Sequence, residues 1–235
     1  MIVHTYQGLL LGTLRQRYKR FFAEIELDQG EIVTAHCPNT GPMTGVSTPG
    51  SRVAVSLATN PQRKLAYTWE MIAVDQVWVG INTALPNRIV GHMLRQKIFS
   101  CLPSYQELKP EVKYGTEGSR VDFLLTGGER STYLEVKNTT WSTANLALFP
   151  DTVTTRGQKH LRELNQICSG NNQAVILYFI NRADCDYFAP GDVADPVYGQ
   201  LLRQAIASGV QVLACRFAVS PDTVKYLGLA ELRIP

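Results

Sequence analysis

A continuous run of seven apolar residues, Ala174–Ile180, constrains the fold of this chain more than any other feature. A strand that is apolar on both faces is typical of the centre of a parallel sheet, where helices cover each side. Helical periodicity predicts such helices at about Thr155–Ser169, stopped by Gly170, and at about Asp195–Ser208. A further strand, Val210–Cys215, follows the second helix, so we expect a mixed sheet flanked by helices.

The first 80 residues have a different pattern, in which short β-type segments alternate with turns rich in Gly, Pro, Asn and Ser. Four of these segments are predicted as strands: Phe21–Leu27, Glu31–Ala35, Ser51–Leu57 and Glu70–Val74. Short strands at this spacing predict a small OB-like β-barrel. A helix that opens at about Leu85 marks the change of pattern. We therefore place an N-terminal domain at 1–80 and a C-terminal domain at 81–235.

Composition limits the classes of function without selecting one. The net charge is +3, which by itself says little about a nucleic-acid partner. The five cysteines include no C-x-x-C pair, which argues against a zinc cluster or a disulfide framework. No segment approaches the roughly 20 apolar residues of a membrane-spanning helix, and the N-terminus lacks the apolar run of a signal peptide. We expect a cytoplasmic globular protein with no membrane partner.

A predicted hairpin brings two carboxylates together in the C-terminal domain. If Leu125 pairs with Thr132, Asp122 lies directly opposite Glu135, and directly opposed residues share one face of a sheet. Glu135 and Lys137 also share that face, because side chains alternate along a strand. Two carboxylates held this close repel each other unless a cation lies between them.

The same register places Arg120 opposite Lys137 and gives the hairpin the arrangement of the magnesium site in PD-(D/E)xK nucleases. Mg²⁺ binds one or two carboxylates together with water and substrate phosphate, and Mn²⁺ could replace it. Asp122, Glu135 and Lys137 are the predicted catalytic residues, with Lys137 orienting a water or stabilising charge on the phosphate. The alternative is an ordinary hairpin whose charged face is solvated.

The predicted helix that follows carries a basic stripe. Arg156, Lys159 and His160 lie on one face, with Glu163 continuing the stripe at helical spacing. Because the N-terminus of a helix favours anions, we expect these cations to bind phosphate, together with Arg120. A solvated charged face is the alternative.

A second basic stripe is predicted in the N-terminal domain. Arg15, Arg17 and Lys19 alternate along a probable strand, with Arg20 beside them and aromatic residues interleaved. Cations that track a backbone and aromatics that stack on bases are how OB-folds bind single strands. The alternative is an edge strand protected by its charges.

Several longer strings resemble the sugar fermentation stimulation protein A family across nearly the whole chain. They are Arg17–Phe21, His36–Gly41, Tyr67–Glu70, Glu111–Gly115, Ser119–Leu125, Glu135–Lys137, Phe149–Asp151 and Thr155–Leu161. The resemblance implies an OB-like N-terminal domain, a PD-(D/E)xK-like, restriction-endonuclease-like C-terminal domain and non-specific DNA binding. It also implies a link to the regulation of sugar (maltose) utilisation, which no residue of the chain encodes.

One departure from the nuclease pattern leaves two hypotheses open. Nucleases of this fold often carry another acid on the first helix, whereas the predicted helix here has none. Glu111 could supply the missing metal ligand, with Asn82 as a weaker substitute. The first hypothesis is a Mg²⁺-dependent nuclease acting on single- or double-stranded DNA, or on RNA, without sequence specificity. The second is a DNA-binding regulator with a weak or vestigial nuclease site.

Overall fold

The computed structural model describes residues 1–168 and 172–234. The helices are α1 (Leu85–Arg95), α2 (Thr155–Cys168) and α3 (Pro196–Ala207). The N-terminal strands are β1 (Ile2–Thr5), β2 (Leu10–Tyr18), β3 (Phe22–Leu27), β4 (Ile32–His36), β5 (Arg52–Leu57), β6 (Tyr67–Val74) and β7 (Val77–Gly80). The later strands are β8 (Glu107–Tyr114), β9 (Ser119–Thr126), β10 (Thr132–Thr139), β11 (Ser142–Thr143), β12 (Leu146–Phe149), β13 (Gln173–Ile180), β14 (Tyr187–Pro190), β15 (Gln211–Val219), β16 (Thr223–Leu229) and β17 (Glu231–Leu232).

The predicted N-terminal barrel is confirmed. Strands β4, β3, β2, β5 and β6 are hydrogen-bonded in that order, and pairing of β4 with β6 closes the five-stranded barrel. Strand β7 pairs antiparallel with β6. Its interior is apolar, with Trp69 as the largest fully buried side chain. Strands β2 and β3 cross closely at Gly12, where a Cβ would lie 2.5 Å from the carbonyl oxygen of Glu26.

The predicted mixed sheet of the C-terminal domain is also confirmed. It has seven strands in the order β1-β16-β15-β13-β10-β9-β8. The apolar run lies in the central strand β13, which is parallel to both β10 and β15. The order contains one surprise, because β1 pairs with β16 and so belongs to this sheet although it lies within residues 1–80.

Helices cover both faces of this sheet, as the sequence predicts. Helix α1 packs on one face, against alternate residues of β13 such as Val175 and Leu177. Helices α2 and α3 pack on the other face, against the intervening residues such as Ile176 and Tyr178. The period-two alternation of a strand thus explains why all seven apolar residues are needed.

The predicted starts of the three helices agree with the structure within one residue. Helix α1 ends at Arg95, and Lys97 follows it with a φ of 53°. Gly170, predicted to stop α2, lies outside the described residues. Among residues 1–168 and 172–234, no helix is long and apolar enough to cross a membrane.

The start of α2 is fixed by a buried aspartate. Asp195 is 1% exposed and caps α3 by accepting the Tyr198 N–H at 3.0 Å. It also accepts the Thr154 N–H at 2.9 Å and the Gln158 side-chain amide at 3.0 Å. One carboxylate therefore joins the first turns of α2 and α3, which sets where the cations of α2 lie.

Candidate metal and phosphate site

Asp122 lies where the hydrogen-bonded ladder between β9 and β10 opens. The predicted register is confirmed for the pairs Leu125–Thr132, Leu124–Tyr133 and Phe123–Leu134. The next predicted pair does not form, because Asp122 Oδ2 accepts the Val136 N–H at 2.7 Å. The expectation that Asp122 lies directly opposite Glu135 is therefore wrong in this detail: the carboxylate takes the place of a backbone partner in the ladder.

Arg120 is displaced by the same opening. It pairs with Lys113 of β8, and the expected pairing with Lys137 is absent from the β9–β10 ladder of the described residues. Its side chain is exposed and lines a cleft beside α2.

Asn87 of α1 is a site residue that sequence reasoning missed. Its side-chain amide donates to Asp122 Oδ1 at 2.6 Å, across 35 residues of sequence. With the Val136 N–H on Oδ2, both oxygens of Asp122 are held in place. The sequence shows that Asn87 is a polar residue near the start of the predicted helix. Only the packing of α1 on the sheet shows which carboxylate its side chain contacts.

The surroundings of Asp122 disfavour its charge. Burial raises the pKa of this carboxyl to about 7, and the negative charge of Glu135 adds to the increase. The hydrogen bonds from Val136 and Asn87 and the charge of Lys137 offset only part of it. Two carboxylates whose charges oppose each other in a buried site indicate a place for a cation.

Glu135 is 3% exposed, and its two oxygens differ. Lys137 Nζ donates to Oε1 at 2.8 Å, and His160 Nδ1 contacts the same oxygen. Within the described residues, Oε2 is buried without a hydrogen-bond partner. Burial alone would raise the pKa of Glu135, but Lys137 and His160 outweigh it and hold this pKa below its ordinary value. Glu135 therefore stays charged and keeps one oxygen available.

Glu111 lies at the rim of the site. Its neighbours pair with the neighbours of Asp122, Pro110 with Phe123 and Val112 with Val121, which places Glu111 opposite Asp122. Its φ is 53°, its side chain is exposed, and it shares a cleft with Asp122.

Asn82, the weaker predicted ligand, serves a different purpose. Its amide donates to Glu70 Oε2 at 2.9 Å, and its oxygen accepts the Ala84 N–H at 3.1 Å. It therefore stabilises the entry to α1 from the barrel. This placement leaves Glu111 as the candidate of the two that lies beside Asp122.

The predicted basic stripe of α2 is split by the fold. His160 and Glu163 are buried, at 3% and 0% exposure, whereas Arg156 is exposed and Lys159 is half-buried. His160 contacts Glu135, so it orients a carboxylate instead of reaching a surface phosphate. The stripe is therefore neither a fully solvated charged face, which was the alternative, nor a set of cations that are all free to bind phosphate, which was the prediction.

A basic cleft of about 660 Å³ lies between α2 and the β8–β9 turn. Arg120, Arg156 and Lys159 line it as predicted, and so does Arg162, which sequence reasoning missed. His160 and Glu111 also line it, so the cleft reaches the rim of the candidate site at Glu111. Arg162 lies 3.3 Å from Glu117, an exposed pair at the cleft wall.

The basic stripe of the barrel does not form as predicted. A bulge between Leu14 and Gln16 interrupts the alternation of β2 at Arg15. Lys19 and Arg20 lie in the turn between β2 and β3, with φ values of 47° and 65°. The three cations predicted on one strand face are therefore not on one face.

Most of these barrel cations have partners within the chain. Arg17 donates to the carbonyl oxygens of Asn39 at 3.0 Å and Gly41 at 2.9 Å. Arg20 donates to the Thr40 carbonyl at 2.9 Å, and Arg15 pairs with Glu26 at 3.3 Å. The two arginines thus fasten residues 37–41 to the hairpin.

One aromatic ring at this hairpin is open to solvent. Phe21 is 48% exposed, whereas Tyr18 and Phe22 stack on each other with centroids 5.4 Å apart. Phe21 follows Lys19 and Arg20 at the tip. The tip therefore exposes one aromatic ring and one lysine.

The residues present fit a divalent cation. Glu135 Oε2 is a buried carboxylate oxygen that has no partner in the described chain, and Asp122 is held beside it. Hard cations such as Mg²⁺ take carboxylate oxygens and complete their shell with water. In the described ranges no group of three or more His, Cys, Asp or Glu side chains is gathered for a metal. A cation here would thus be held by one or two carboxylates plus water.

Two family models match successive parts of the chain. Residues 16–81 match the model of the SfsA N-terminal OB domain. Residues 84–223 match the model described as the sugar fermentation stimulation protein RE domain. A solved structure of SfsA from Pyrococcus furiosus, in complex with Ca²⁺, matches all of this chain with a TM-score of 0.91 at 22% identity, over 100% of both chains.

Curated relatives extend this similarity to sequence. The sugar fermentation stimulation protein homolog of Cyanothece sp. is 62% identical over 234 residues, 98% of each chain. The homolog of Gloeobacter violaceus is 58% identical over 231 residues, again 98% of each. With two family models covering most of the chain and relatives at this identity, the chain belongs to the sugar fermentation stimulation protein family.

Proposed function

We propose that this chain is a non-specific DNA-binding protein that hydrolyses phosphodiester bonds with Mg²⁺, or with Mn²⁺ in its place. The observation that carries the proposal is a pair of carboxylates: half-buried Asp122 accepts one hydrogen bond on each oxygen, and buried Glu135 keeps one oxygen without a partner among the described residues. A buried charged oxygen without a partner is costly, so a site that keeps one is suited to a cation.

Each residue has a part in this chemistry. Asp122 and Glu135 would hold the cation, whose chemistry when bound would be to polarise a phosphate oxygen and lower the pKa of a water. Lys137 Nζ lies beside Glu135 and stabilises charge that develops on the phosphate. His160 is a positioning residue, because it fixes the orientation of Glu135.

Phosphate binding is proposed for the basic cleft. Arg120 and Arg156 are exposed in it, and Lys159 lies at its wall with Nζ donating to the Glu117 carbonyl. Contacts of this kind are made to the sugar-phosphate backbone of the DNA, so they carry no information about the base sequence. We extend the proposal to the barrel, whose tip with Lys19 and Phe21 could contact a single strand.

The choice of metal has indirect support. The Pyrococcus furiosus relative was solved in complex with Ca²⁺. Ca²⁺ and Mg²⁺ share a preference for oxygen ligands, while Mg²⁺ keeps more water and needs fewer carboxylates. A site with two carboxylates suits Mg²⁺ on this ground.

The test is a metal-dependent cleavage assay on single-stranded DNA, double-stranded DNA and RNA. We expect cleavage with Mg²⁺ or Mn²⁺, none with a chelator, and loss of cleavage in Lys137→Ala. Purified protein that cleaves none of the three substrates with either metal would refute the nuclease proposal.

A DNA-binding regulator of sugar utilisation with a vestigial nuclease site is the second candidate. The observation in its favour is that Asn87, an amide, meets Asp122 from α1 where an acid would add a metal ligand. This candidate predicts DNA binding that is unaffected by chelators and by Lys137→Ala, with no cleavage under any metal condition.

A further inference from the structure

Helix α1 presents an exposed face with two arginines and a histidine. Arg88, His92 and Arg95 follow one another at helical spacing, and all three are exposed. The helix contains no acidic residue. In the described ranges neither arginine forms a salt bridge, so the face is not neutralised by the chain itself.

This face borders the candidate metal site. A cleft of about 280 Å³ is lined by Arg88 and Arg95 on one side and by Glu111 and Asp122 on the other. Glu111 also lines the 660 Å³ cleft of Arg156 and its neighbours. Glu111, which lies opposite Asp122 on β8, is therefore flanked by two cationic walls, one on α1 and one on α2 with the β8–β9 turn.

The two clefts offer cations but no stacking surface. Sites for single strands combine cations with exposed aromatic rings on which bases stack. Among the described residues that line these clefts, the aromatic rings are those of Phe123 and His160, which are only 5% and 3% exposed. A partner whose bases are already stacked, and which offers only its phosphates, fits such walls.

The spacing on α1 suits one strand of a duplex. Seven residues separate Arg88 from Arg95, which corresponds to about 10 Å along a helix axis. Phosphates of one strand repeat every 3.4 Å along the duplex axis, so the two arginines reach phosphates about three steps apart.

We propose that the two walls hold the two strands of a DNA duplex across Asp122. The α2 wall binds the strand to be hydrolysed, and Arg88 and Arg95 bind the backbone of the opposite strand. The inference rests on the proposed function and names its substrate as double-stranded DNA.

The test compares duplex and single-stranded oligonucleotides of equal length, with Ca²⁺ present to prevent turnover. In Arg88→Ala/Arg95→Ala, duplex affinity should fall by roughly tenfold or more at 0.1 M salt. The slope of log affinity against log salt should decrease by about 1.8, since each phosphate contact contributes about 0.9. Affinity for the single strand should change less than about twofold.

The matched control is Arg130→Ala/Lys225→Ala, which removes the same charge from two exposed positions outside both clefts. It should leave duplex affinity within about twofold. Thermal unfolding of both double variants shows that each one is folded.

Three results would overturn the inference. If Arg88→Ala/Arg95→Ala lost duplex and single-strand affinity equally, α1 would contact the same DNA strand as α2. If the control variant lost as much duplex affinity, the effect would come from net charge alone. Unchanged duplex affinity would remove α1 from the interface. Wild-type protein that binds neither form would refute the proposed function itself, which is a different outcome from all three.

Discussion

The β2–β3 hairpin of the barrel and the first half of α2 both carry closely spaced cations, yet their partners differ. In the barrel, Arg17 and Arg20 donate to the backbone carbonyls of residues 39–41. In the C-terminal domain, Arg120 and Arg156 line a cleft that leads to Glu135 through His160, and in the described ranges neither forms a salt bridge. The first pair stabilises the fold, and the second remains available to a ligand.

The same contrast holds for the polar groups beside these cations. The carbonyls of the barrel loop accept the hydrogen bonds that they need, whereas Glu135 retains a buried oxygen without a partner in the described chain. Buried polar groups are usually satisfied. Arg17 Nε in the barrel is also an exception, but it is a donor on a cation, whereas the exception at Glu135 is a carboxylate oxygen, which suits an added cation. Predictions that separate the two regions follow, from the largest effect to the smallest.

The largest effect is expected at Asp122. Asp122→Ala should reduce metal-dependent cleavage by roughly a thousandfold or more, because it removes a carboxylate that holds the cation. Duplex affinity in a chelator should stay within about twofold, since the cations of the cleft are unchanged. A gel-based assay measures the cleavage, and fluorescence anisotropy measures the duplex affinity. Equal losses of binding and cleavage would mean that Asp122 supports the fold instead of the chemistry.

Arg17 should matter to stability. Arg17→Ala removes donors from the carbonyls of Arg20, Asn39 and Gly41 and should lower the free energy of unfolding by about 2 kcal/mol. Arg15→Ala is the control, because its exposed pair with Glu26 should contribute less than about 1 kcal/mol. Chemical denaturation measures both. If Arg17→Ala instead weakened DNA binding at unchanged stability, the barrel would use its cations as the C-terminal domain does.

Asn87 tests whether the site accepts more metal ligands. Asn87→Asp places a carboxylate at hydrogen-bond distance from Asp122, and like charges this close destabilise the metal-free protein. Added Mn²⁺ should therefore raise the unfolding temperature of Asn87→Asp more than that of wild type, since binding to the folded state stabilises it. Asn87→Ala is the control and should show no larger shift than wild type. Equal shifts in Asn87→Asp and wild type would place Asn87 outside the reach of the cation.

The smallest effect is expected at a single phosphate contact. Arg156→Ala should weaken duplex binding by roughly fivefold at 0.1 M salt and lower the salt slope by about 0.9. Stability should not change beyond about 0.5 kcal/mol, as for most exposed positions. Anisotropy titrations at several salt concentrations provide the slope. An unchanged slope would mean that Arg156 points away from the bound phosphates.

The fold was predictable in outline because its signals are local or periodic. The apolar run of β13, the alternation of the barrel strands and the division of α1 and α2 into an apolar and a polar face all follow from side-chain periodicity. Strand β1 was not predictable, because only its pairing with β16 places it in the C-terminal sheet. A short segment carries no signal for a partner more than 200 residues away.

The hairpin residues of the candidate site could be proposed from the sequence, but Asn87 and the contacts of the site could not. Asp122, Glu135 and Lys137 follow from the spacing of one hairpin, but the insertion of Asp122 into the ladder does not. His160 and Asn87 come from different helices, and their partners depend on how those helices pack on the sheet. A polar stripe on a helix shows which residues share a face, but it does not show which of them end up buried.

The most direct test of the metal site is isothermal titration of the metal-free protein with Mn²⁺, comparing wild type with Glu135→Gln. Glu135→Gln keeps the size of the side chain and its contact with His160 while it removes the charge that attracts a cation. We expect wild type to bind one Mn²⁺ per chain and Glu135→Gln to bind at least about tenfold more weakly. Equal binding by the two proteins, or no binding by wild type, would contradict the assignment of Asp122 and Glu135 as a metal site.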